Sequence, residues 1–376
     1  GIPLNILGIT PRGFSPFHWL WYAVLGIWKL LTNWERYEAY VVEMGIDSPH
    51  PPKNMGYLLS IVQPNVGVFL NAGPTHAENF DSLLPSANTN NAEYLQDITK
   101  LIAGEKGKLI EQLPSTGVAI LNANDRNVMT TAKKTNAHVK TFGTSKKSDI
   151  VLTKHTINLE GTQLTVSYQS KTYQLHFPHF LIPKQTTYSL MAALLVGITQ
   201  DVSIQTSVTN LQKKFQLPRS RSTLLAGIND SHIIDSSYNS SLAPALDMLD
   251  TLQISKGRKL ALLGDMRELG ASTPAEHEIL AKKAAKLCDE VYLVGPLTKQ
   301  HMLPILESAA IPTMWFATAG EAGKYLKTQL QKDDVLLVKA SQNTLFLEIA
   351  VQMLMAEPEK ADEVLCRRGE FWDKQR

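Results

Sequence analysis

Asn71 and His76 follow a short apolar run in the segment VFLNAGPTHAENF, residues 68–80. An amide and an imidazole can bind phosphate or coordinate a metal ion, and the Gly-Pro turn between them lets the backbone approach a ligand closely. Glu43 lies at the end of another apolar run, in VVEMGIDSP, where a carboxylate suits a hard cation such as Mg²⁺. Taken singly, His76 is more typical of a structural histidine, and Glu43 of a solvated or capping carboxylate, than either is of a ligand site.

Lys106 lies between two glycines in the helical pattern AGEKGKLIEQLP. Gly104 and Gly107 each cost about 1 kcal/mol relative to alanine inside a helix, so their presence indicates that something approaches the helix closely. A solvated lysine on a helix surface is the alternative interpretation.

Three later apolar runs also end in polar side chains. HIIDSSYNSS carries Asp235 and Asn239, LLGDMRELG carries residues 265–268, and VLLVKAS carries Lys339 and Ser341. The first two segments precede predicted helices, and helix N-termini favour phosphates and other anions.

The elements that must position these residues alternate between strand and helix, which predicts an α/β protein with parallel sheets and ligands at the strand carboxyl ends. Residues 90–114 and 188–199 have helical patterns, whereas residues 149–178 alternate in polarity like an antiparallel hairpin. The predicted strands are Tyr37–Gly45, Asn65–Gly73, Gly117–Asp125, Lys259–Asp265, Glu290–Pro296 and Asp334–Ser341.

A length of 376 residues allows two or three domains. Pro218 and a basic, serine-rich cluster break the periodicity at Phe215–Ser222, which predicts one domain over residues 1–216 and another over residues 217–376. The β-rich segment near 149–178 belongs to the first of these domains.

Composition excludes several classes of protein. The formal net charge of +2 gives no electrostatic footprint for nucleic acid. Cys288 and Cys366 are the only cysteines, too few for a disulfide framework or a zinc site, so we expect a reducing, cytoplasmic environment.

The run Phe17–Leu31 is strongly apolar, but His18 and Lys29 interrupt it and it is shorter than the ~20 residues that span a bilayer. It predicts a buried or interfacial packing helix rather than a membrane contact. We therefore expect no stable membrane insertion.

Taken in order, the motifs E-M-G, N-x-G-x-x-H, a helical lysine, L-N-A-N-D, a basic linker, D-x-S-Y-N, G-D-M-x-E-L-G and V-K-A-S resemble the Mur ligase family. The resemblance runs from about residue 1 to residue 348. It implies a central parallel-sheet ATPase domain, incomplete at its N-terminus, followed by a Rossmann-like α/β domain. GIPLNIL, DSSYN and GDMRELG are most similar to the branch that adds D-alanyl-D-alanine to a UDP-N-acetylmuramoyl tripeptide through an acyl phosphate.

The resemblance also implies roles for individual residues. ATP and Mg²⁺, or Mn²⁺, would be the cofactors, and Lys106 matches a lysine that several family members carry as a carbamate. A UDP-muramoyl peptide and D-alanyl-D-alanine would be the partners of a monomeric enzyme. The implied roles are catalysis and metal binding for Glu43, His76 and Lys106, nucleotide binding for Asn71, Arg221, Asp235 and Asn239, and amine-substrate binding for Lys339 and Ser341.

Three departures from the family pattern leave alternatives open. The phosphate-binding loop G-x-x-x-x-G-K-[ST], which the family carries upstream of this region, does not occur in the chain, so we expect an N-terminally truncated chain that is inactive alone. Ser236 replaces the second carboxylate of D-D-S-Y-N, and QTTYS (Gln185–Ser189) replaces the adenine-side motif. The alternatives are another Mur-type or folylpolyglutamate-type ligase, and a non-catalytic Mur-like binding or scaffold protein.

Overall fold

The structure, a computed structural model, describes residues 2–32, 37–74, 77–84, 91–178, 180–341 and 344–375. Its contacts divide the chain into two compact units, residues 1–64 and residues 65–376. The β-sheets that the structure describes lie in the second unit.

Within its described residues the first unit contains three helices, α1 (Ile2–Ile6), α2 (Pro16–Thr32) and α3 (Met55–Ile61). The helix expected near residues 17–31 forms. Of the two alternatives predicted for it, the buried helix is wrong, because Tyr22 and Gly26 are its only buried residues and most of its large side chains are exposed. Among the described helices, none combines the length and the apolar character needed to cross a membrane.

The strand predicted over Tyr37–Gly45 is also wrong. These residues have irregular backbone, and Val41 is 90% exposed. A strand needs a neighbouring strand for its backbone hydrogen bonds, and the described part of this unit supplies none. Glu43 therefore lies on an exposed irregular segment rather than at the end of a sheet strand.

The first sheet of the second unit has the sequential order β1-β2-β3-β4-β5-β6. Its first four strands pair in parallel, and β4, β5 and β6 form an antiparallel meander, which confirms the alternation seen in residues 149–178. The elements are β1 (Val66–Phe69), α4 (Asn91–Glu111), β2 (Val118–Asn122), α5 (Arg126–Thr130), β3 (His138–Gly143), β4 (Ile150–Asn158), β5 (Gly161–Tyr168), β6 (Lys171–Pro178), α6 (Lys184–Thr199) and α7 (Ile204–Lys214).

The second sheet follows residues 215–222 and has the order β11-β10-β9-β12-β8-β7, parallel except for β7. The elements are β7 (Thr223–Ala226), β8 (His232–Ser236), α8 (Leu242–Thr251), β9 (Lys259–Gly264), α9 (Thr273–Leu287), β10 (Glu290–Val294), α10 (Pro296–His301), α11 (Leu303–Ser308), β11 (Thr313–Phe316), α12 (Ala319–Gln329), β12 (Val335–Lys339), α13 (Glu348–Leu354), α14 (Ala361–Val364) and α15 (Glu370–Asp373).

The apolar runs of the second sheet explain its architecture. All five residues of β12 are buried, as expected for a parallel strand with helices on both faces, and separate apolar clusters cover those two faces. Because β12 lies between β8 and β9, the carboxyl ends of these three strands meet at one edge. The register pairs Lys339 with Ser236 there, so the polar residues that follow the apolar runs come together.

Contacts also join the regions that carry the two sheets. The Gln185 amide donates to Asp247 Oδ2 (3.0 Å) and the Ala271 amide donates to Asp81 Oδ2 (3.1 Å). Gly270 has a φ of +56°, and a Cβ there would lie 2.6 Å from the Cα of Glu78, so this close approach requires glycine.

Candidate functional site

A cavity of about 880 Å³ lies between the start of α6, residues 215–222 and the loop after β8. Two of the residues predicted to bind nucleotide, Arg221 and Asn239, line this cavity, and so does Lys339. The positions that depart from the family pattern line it as well: Gln185, Thr186, Ser189 and Ser236. The structure therefore brings residues from both sheet regions to one concave surface, as ligand sites usually require.

The loop after β8, residues 237–241, is held by side chains that donate hydrogen bonds to its backbone carbonyls. Four successive carbonyl oxygens each accept a hydrogen bond from a side chain. Arg367 donates to the first two (2.8 Å each), Lys339 to the third (2.8 Å) and Ser341 to the fourth (3.0 Å). The four accepting carbonyls are those of Ser237, Tyr238, Asn239 and Ser240.

The Arg367 guanidinium forms a bidentate pair with Glu348, with distances of 2.9 Å from Nε to Oε1 and 2.6 Å from Nη2 to Oε2. Both side chains are buried. Sequence analysis missed the role of Arg367 in this loop, because Arg367 lies 130 residues from the Ser237 carbonyl that it contacts and no short motif links them.

Lys339 is only 4% exposed, and its Nζ donates to Ser236 Oγ (3.4 Å) as well as to the Asn239 carbonyl. Burial lowers the pKa of Lys339 to about 7; the nearby positive charge of Arg221 acts in the same direction, and Asp235 opposes it. These contacts give Lys339 a part in holding the loop. Its predicted role in binding the amine substrate, like that of Ser341, stays a prediction.

Asp235 is fully buried, and its Oδ1 accepts from the Ser237 amide at 3.0 Å. Burial raises the pKa of Asp235, and the hydrogen bond from the Ser237 amide opposes this shift. The neighbouring Ser236 lines the cavity, whereas Asp235 is not part of its wall. Successive residues of a strand point to opposite faces, so Asp235 does not take the place of a carboxylate at position 236.

The Arg221 guanidinium lies over the Tyr238 ring, 4.4 Å from its centroid. Both residues line the large cavity. A cation held over an aromatic face is restrained in orientation, so Arg221 is presented to the cavity by Tyr238.

A second cavity of about 410 Å³ is lined by residues that follow β1 and β2 and by the start of α8. Asn71 lies on its wall. The Asn122 side chain donates to the Leu70 carbonyl (2.8 Å), and Asp125 accepts from the Ala72 amide (2.8 Å). Asp125 also caps α5, so the chain after β1 is tied to the start of that helix.

Glu276 lines the second cavity and is almost fully buried on α9. Its Oε1 accepts from Ser272 Oγ at 2.7 Å. Burial raises the pKa of Glu276 to about 7, and the hydrogen bonds from Ser272 and from the Leu242 amide oppose the shift. The sequence stretch ASTPAEHE contains this residue, but no spacing rule marks it as buried.

His277, beside Glu276, is fully buried, and burial lowers its pKa. Its Nε2 accepts from the Met266 amide (3.1 Å) and its Nδ1 donates to the Thr273 carbonyl (2.7 Å), an arrangement that a neutral imidazole satisfies. The ring therefore fixes the segment after β9 to α9.

The predicted metal site of Glu43, His76 and Lys106 stays a prediction. Glu43 is an exposed residue of the first unit, and His76 lies outside the described residues. Lys106 is half-buried on α4 and lines neither cavity. Within the described ranges, no three His, Cys, Asp or Glu side chains are grouped as a metal site would require.

Most of the chain is similar to known proteins of one family. Residues 23–197 match the Mur ligase middle domain and residues 220–342 match the Mur ligase glutamate ligase domain. The UDP-N-acetylmuramoyl-tripeptide–D-alanyl-D-alanine ligase of Buchnera aphidicola is 24% identical over 343 residues, which cover 90% of this chain and 68% of that protein. The ligase of the same name from Synechocystis is 26% identical over 303 residues, covering 80% of this chain and 60% of that protein. The chain thus spans only 60% to 68% of the length of these relatives.

Solved structures show the same fold. The MurF ligase of Thermotoga maritima, in complex with ADP, has a TM-score of 0.67 at 20% identity and covers 96% of this chain and 77% of its own. MurF from Acinetobacter baumannii has a TM-score of 0.65 at 21% identity, covering 78% of this chain and 60% of its own. The α/β fold inferred from the sequence is confirmed. With both domain types matched in order along one chain, this protein belongs to the Mur ligase family.

Proposed function

We propose that the chain forms the catalytic and C-terminal regions of an ATP-dependent ligase that joins D-alanyl-D-alanine to a UDP-N-acetylmuramoyl tripeptide. The observation that carries this proposal is the large cavity, whose wall combines Arg221, Asn239 and Lys339. The named activity of the relatives and the ADP in the Thermotoga maritima structure support it. Such an enzyme works in the cytoplasm, where nucleotide precursors of the cell wall are made.

In the proposed reaction a substrate carboxylate attacks the γ-phosphate of ATP, which gives an acyl phosphate and ADP. The amine of D-alanyl-D-alanine then attacks the acyl carbon, and phosphate leaves from the tetrahedral intermediate. We assign nucleotide binding to Arg221 and Asn239 in the large cavity and to Asn71 beside it. Asp235 takes part by holding the loop after β8 through the Ser237 amide.

The metal ligands are proposed from the motif match alone. Mg²⁺, or Mn²⁺, would neutralise charge on the transferring phosphoryl group, and Glu43, His76 and a carbamate on Lys106 are its proposed ligands. Lys106→Ala should then lower ligation about 10²-fold, with partial rescue by a small carboxylic acid. Unchanged ligation by a folded Lys106→Ala variant would remove this residue from the site.

The nucleotide assignment is tested by calorimetric titration with Mg-ADP, both of this chain and of the protein encoded by the complete reading frame. Arg221→Ala should weaken binding about tenfold, because a hydrogen bond or ion pair to phosphate or ribose is lost. Lys324→Ala, an exposed residue of α12 that lines neither cavity, is the control for the change in net charge. Equal affinities of wild type and Arg221→Ala would contradict the assignment.

The ligase reaction is tested separately with UDP-muramoyl tripeptide and D-alanyl-D-alanine. We expect product from the complete reading frame and none from this chain alone, which lacks the motif G-x-x-x-x-G-K-[ST]. Competition with glutamate distinguishes a folylpolyglutamate-type ligase, a class whose Mycobacterium tuberculosis member shares the fold with a TM-score of 0.60 at 14% identity.

A non-catalytic binding protein is the second candidate. The observation that favours it is that Ser236 and Gln185, which depart from the family motifs, both line the large cavity. Absence of Mg-ADP binding by the complete protein would support this candidate and exclude the ligase.

A further inference from the structure

Asp247, on helix α8, is the only acidic residue among the described residues that line the large cavity. The basic residues of the same wall are Arg219, Arg221 and Lys339. A carboxylate and a phosphate repel each other, so the phosphates of a nucleotide belong beside the basic residues. Asp247 is therefore suited to an uncharged part of the ligand that donates a hydrogen bond.

The start of α6 orients the carboxylate of Asp247. Its Oδ2 accepts a hydrogen bond from the amide of Gln185, in the first turn of that helix, at 3.0 Å. In the part of the chain that the structure describes, no hydrogen bond reaches Oδ1. Burial raises the pKa of Asp247, and the Gln185 amide opposes this shift. A partly desolvated carboxylate with one oxygen left over gains from a ligand that supplies an N–H donor.

The side chains next to Asp247 on the cavity wall are short. Thr186 and Ser189 line the cavity within the segment QTTYS, which replaces the adenine-side motif H-N-x-x-N. Their hydroxyls stand at the two asparagine positions of that motif and reach less far than a side-chain amide. Because Asp247 is hydrogen-bonded to Gln185 of the same segment, it places an acceptor on the side of the cavity where the base is expected.

We propose that Asp247 is a specificity-determining residue of the large cavity and that its Oδ1 accepts a hydrogen bond from the exocyclic amino group of adenine. This inference rests on the proposed function, in which the cavity binds ADP and ATP. An ionised carboxylate is a strong acceptor for an amino N–H. Guanine carries a carbonyl oxygen in place of that amino group, and the carboxylate would repel it.

The test is calorimetric titration of the protein encoded by the complete reading frame with Mg-ADP and with the magnesium complex of purine riboside 5′-diphosphate, which lacks only the amino group. Wild type should bind Mg-ADP about tenfold more tightly than the purine analogue. Asp247→Asn should bind Mg-ADP about tenfold more weakly and the analogue with unchanged affinity, so the preference disappears. The asparagine carbonyl can still accept from the Gln185 amide, so the connection to α6 is kept.

Asp250→Asn is the matched control, because it removes the same charge from the same helix. Asp250 pairs with Lys283 (2.6 Å) and lines neither the large cavity nor the second cavity. Both affinities of this variant should equal those of wild type.

Equal affinities of wild type for Mg-ADP and the purine analogue would overturn the inference and leave the proposed function intact. An equal loss of affinity for both ligands in Asp247→Asn would also overturn it, because the carboxylate would then act on the ribose or through α6. Tighter binding of Mg-GDP than of Mg-ADP by wild type would overturn it in favour of guanine. Absence of all nucleotide binding would overturn both the inference and the proposed function.

Discussion

The loops that follow β8 and β1 begin at the carboxyl ends of parallel strands, but they are held in different ways. The loop after β8 has four successive carbonyls bound by buried or nearly buried donors, with Arg367 fixed in turn by Glu348. The described part of the loop after β1, residues 70–74, is held from one side by Asn122 and Asp125.

The two loops therefore contribute differently to ligand binding. The protein's own side chains hold the loop after β8, so ligand binding at the large cavity does not have to overcome the entropy of ordering that loop. The loop after β1 presents Asn71 as an exposed side chain at the second cavity. We infer that the loop beside the large cavity is preformed.

The largest expected effect comes from removing the buried charge that holds the loop after β8. Arg367→Met should lower the free energy of unfolding by about 3–5 kcal/mol, because it breaks a buried ion pair and removes two hydrogen bonds to loop carbonyls. Urea denaturation followed by circular dichroism measures the change. If the loop is preordered by Arg367, ADP affinity should fall in the same variant.

The matched control is the next residue along the chain. Arg368 pairs with Asp362, whose side chain is 78% exposed, so Arg368→Met should cost less than about 1 kcal/mol. The double variant Arg367→Met/Glu348→Leu should recover part of the lost stability, since no buried carboxylate is left behind. Equal stabilities of Arg367→Met and Arg368→Met would show that the comparison between the two loops is mistaken.

A smaller effect on stability is expected from a change of pH, through Glu276 in the wall of the second cavity. Burial raises the pKa of Glu276 from 4.5 to about 7, so the folded state binds more protons than the unfolded state between these values. Stability contributed by this group is therefore lost as pH rises from about 4.5 to about 7, at no more than about 1.4 kcal/mol per pH unit. Glu276→Gln does not titrate, so its advantage over wild type should grow across this window.

Unfolding curves of wild type and Glu276→Gln at several pH values measure this difference, and the neighbouring His277 contributes equally to both proteins. Glu278→Gln provides the control, because Glu278 is a partly exposed residue of the same helix that pairs with Lys282. A stability difference between wild type and Glu276→Gln that does not change with pH would mean that Glu276 is not the titrating group.

Much of this site could be predicted because the strand signals are local. Apolar runs of about five residues followed by polar groups identified β1, β8 and β12, and the parallel pairing then brings Lys339 beside Ser236. The same reasoning failed at Tyr37–Gly45, where the apolar run has no neighbouring strand to pair with in the described structure.

What sequence reasoning missed depends on long-range contacts. Arg367 and Glu348 look like ordinary surface charges until the fold places them under a loop more than a hundred residues away. The burial of Glu276 likewise follows from packing of α9 against α8 rather than from any spacing. Helix α2 was recognised as a helix, but its exposure could not be predicted from an apolar pattern that is typical of buried helices.

A third prediction concerns the helix that packs on β1 and carries Lys106. A Cβ at Gly107 would lie 2.8 Å from Thr131 Cγ2, whereas a Cβ at Gly104 would meet nothing within 4 Å. Gly107→Ala should therefore lower the free energy of unfolding by about 1–3 kcal/mol through overpacking, and Gly104→Ala should raise it by about 1 kcal/mol through helix propensity. Thermal unfolding should show shifts of opposite sign in the midpoint temperatures of the two variants. Shifts of the same sign would show that Gly107 is not closely packed against Thr131.

The smallest expected effect concerns Tyr238, one side chain of the loop after β8. Tyr238→Leu removes the ring over which Arg221 lies at 4.4 Å, so ADP should bind about two- to fivefold more weakly, equivalent to about 0.5–1 kcal/mol. Trp315→Leu is the control, because Lys299 lies over that ring at 3.9 Å but neither residue lines the large cavity or the second cavity. Calorimetric titration measures both affinities. If Tyr238→Leu leaves ADP affinity unchanged while Arg221→Ala weakens it, Arg221 binds the nucleotide without support from the Tyr238 ring. The loop after β8 would then contribute to ADP binding through its backbone alone.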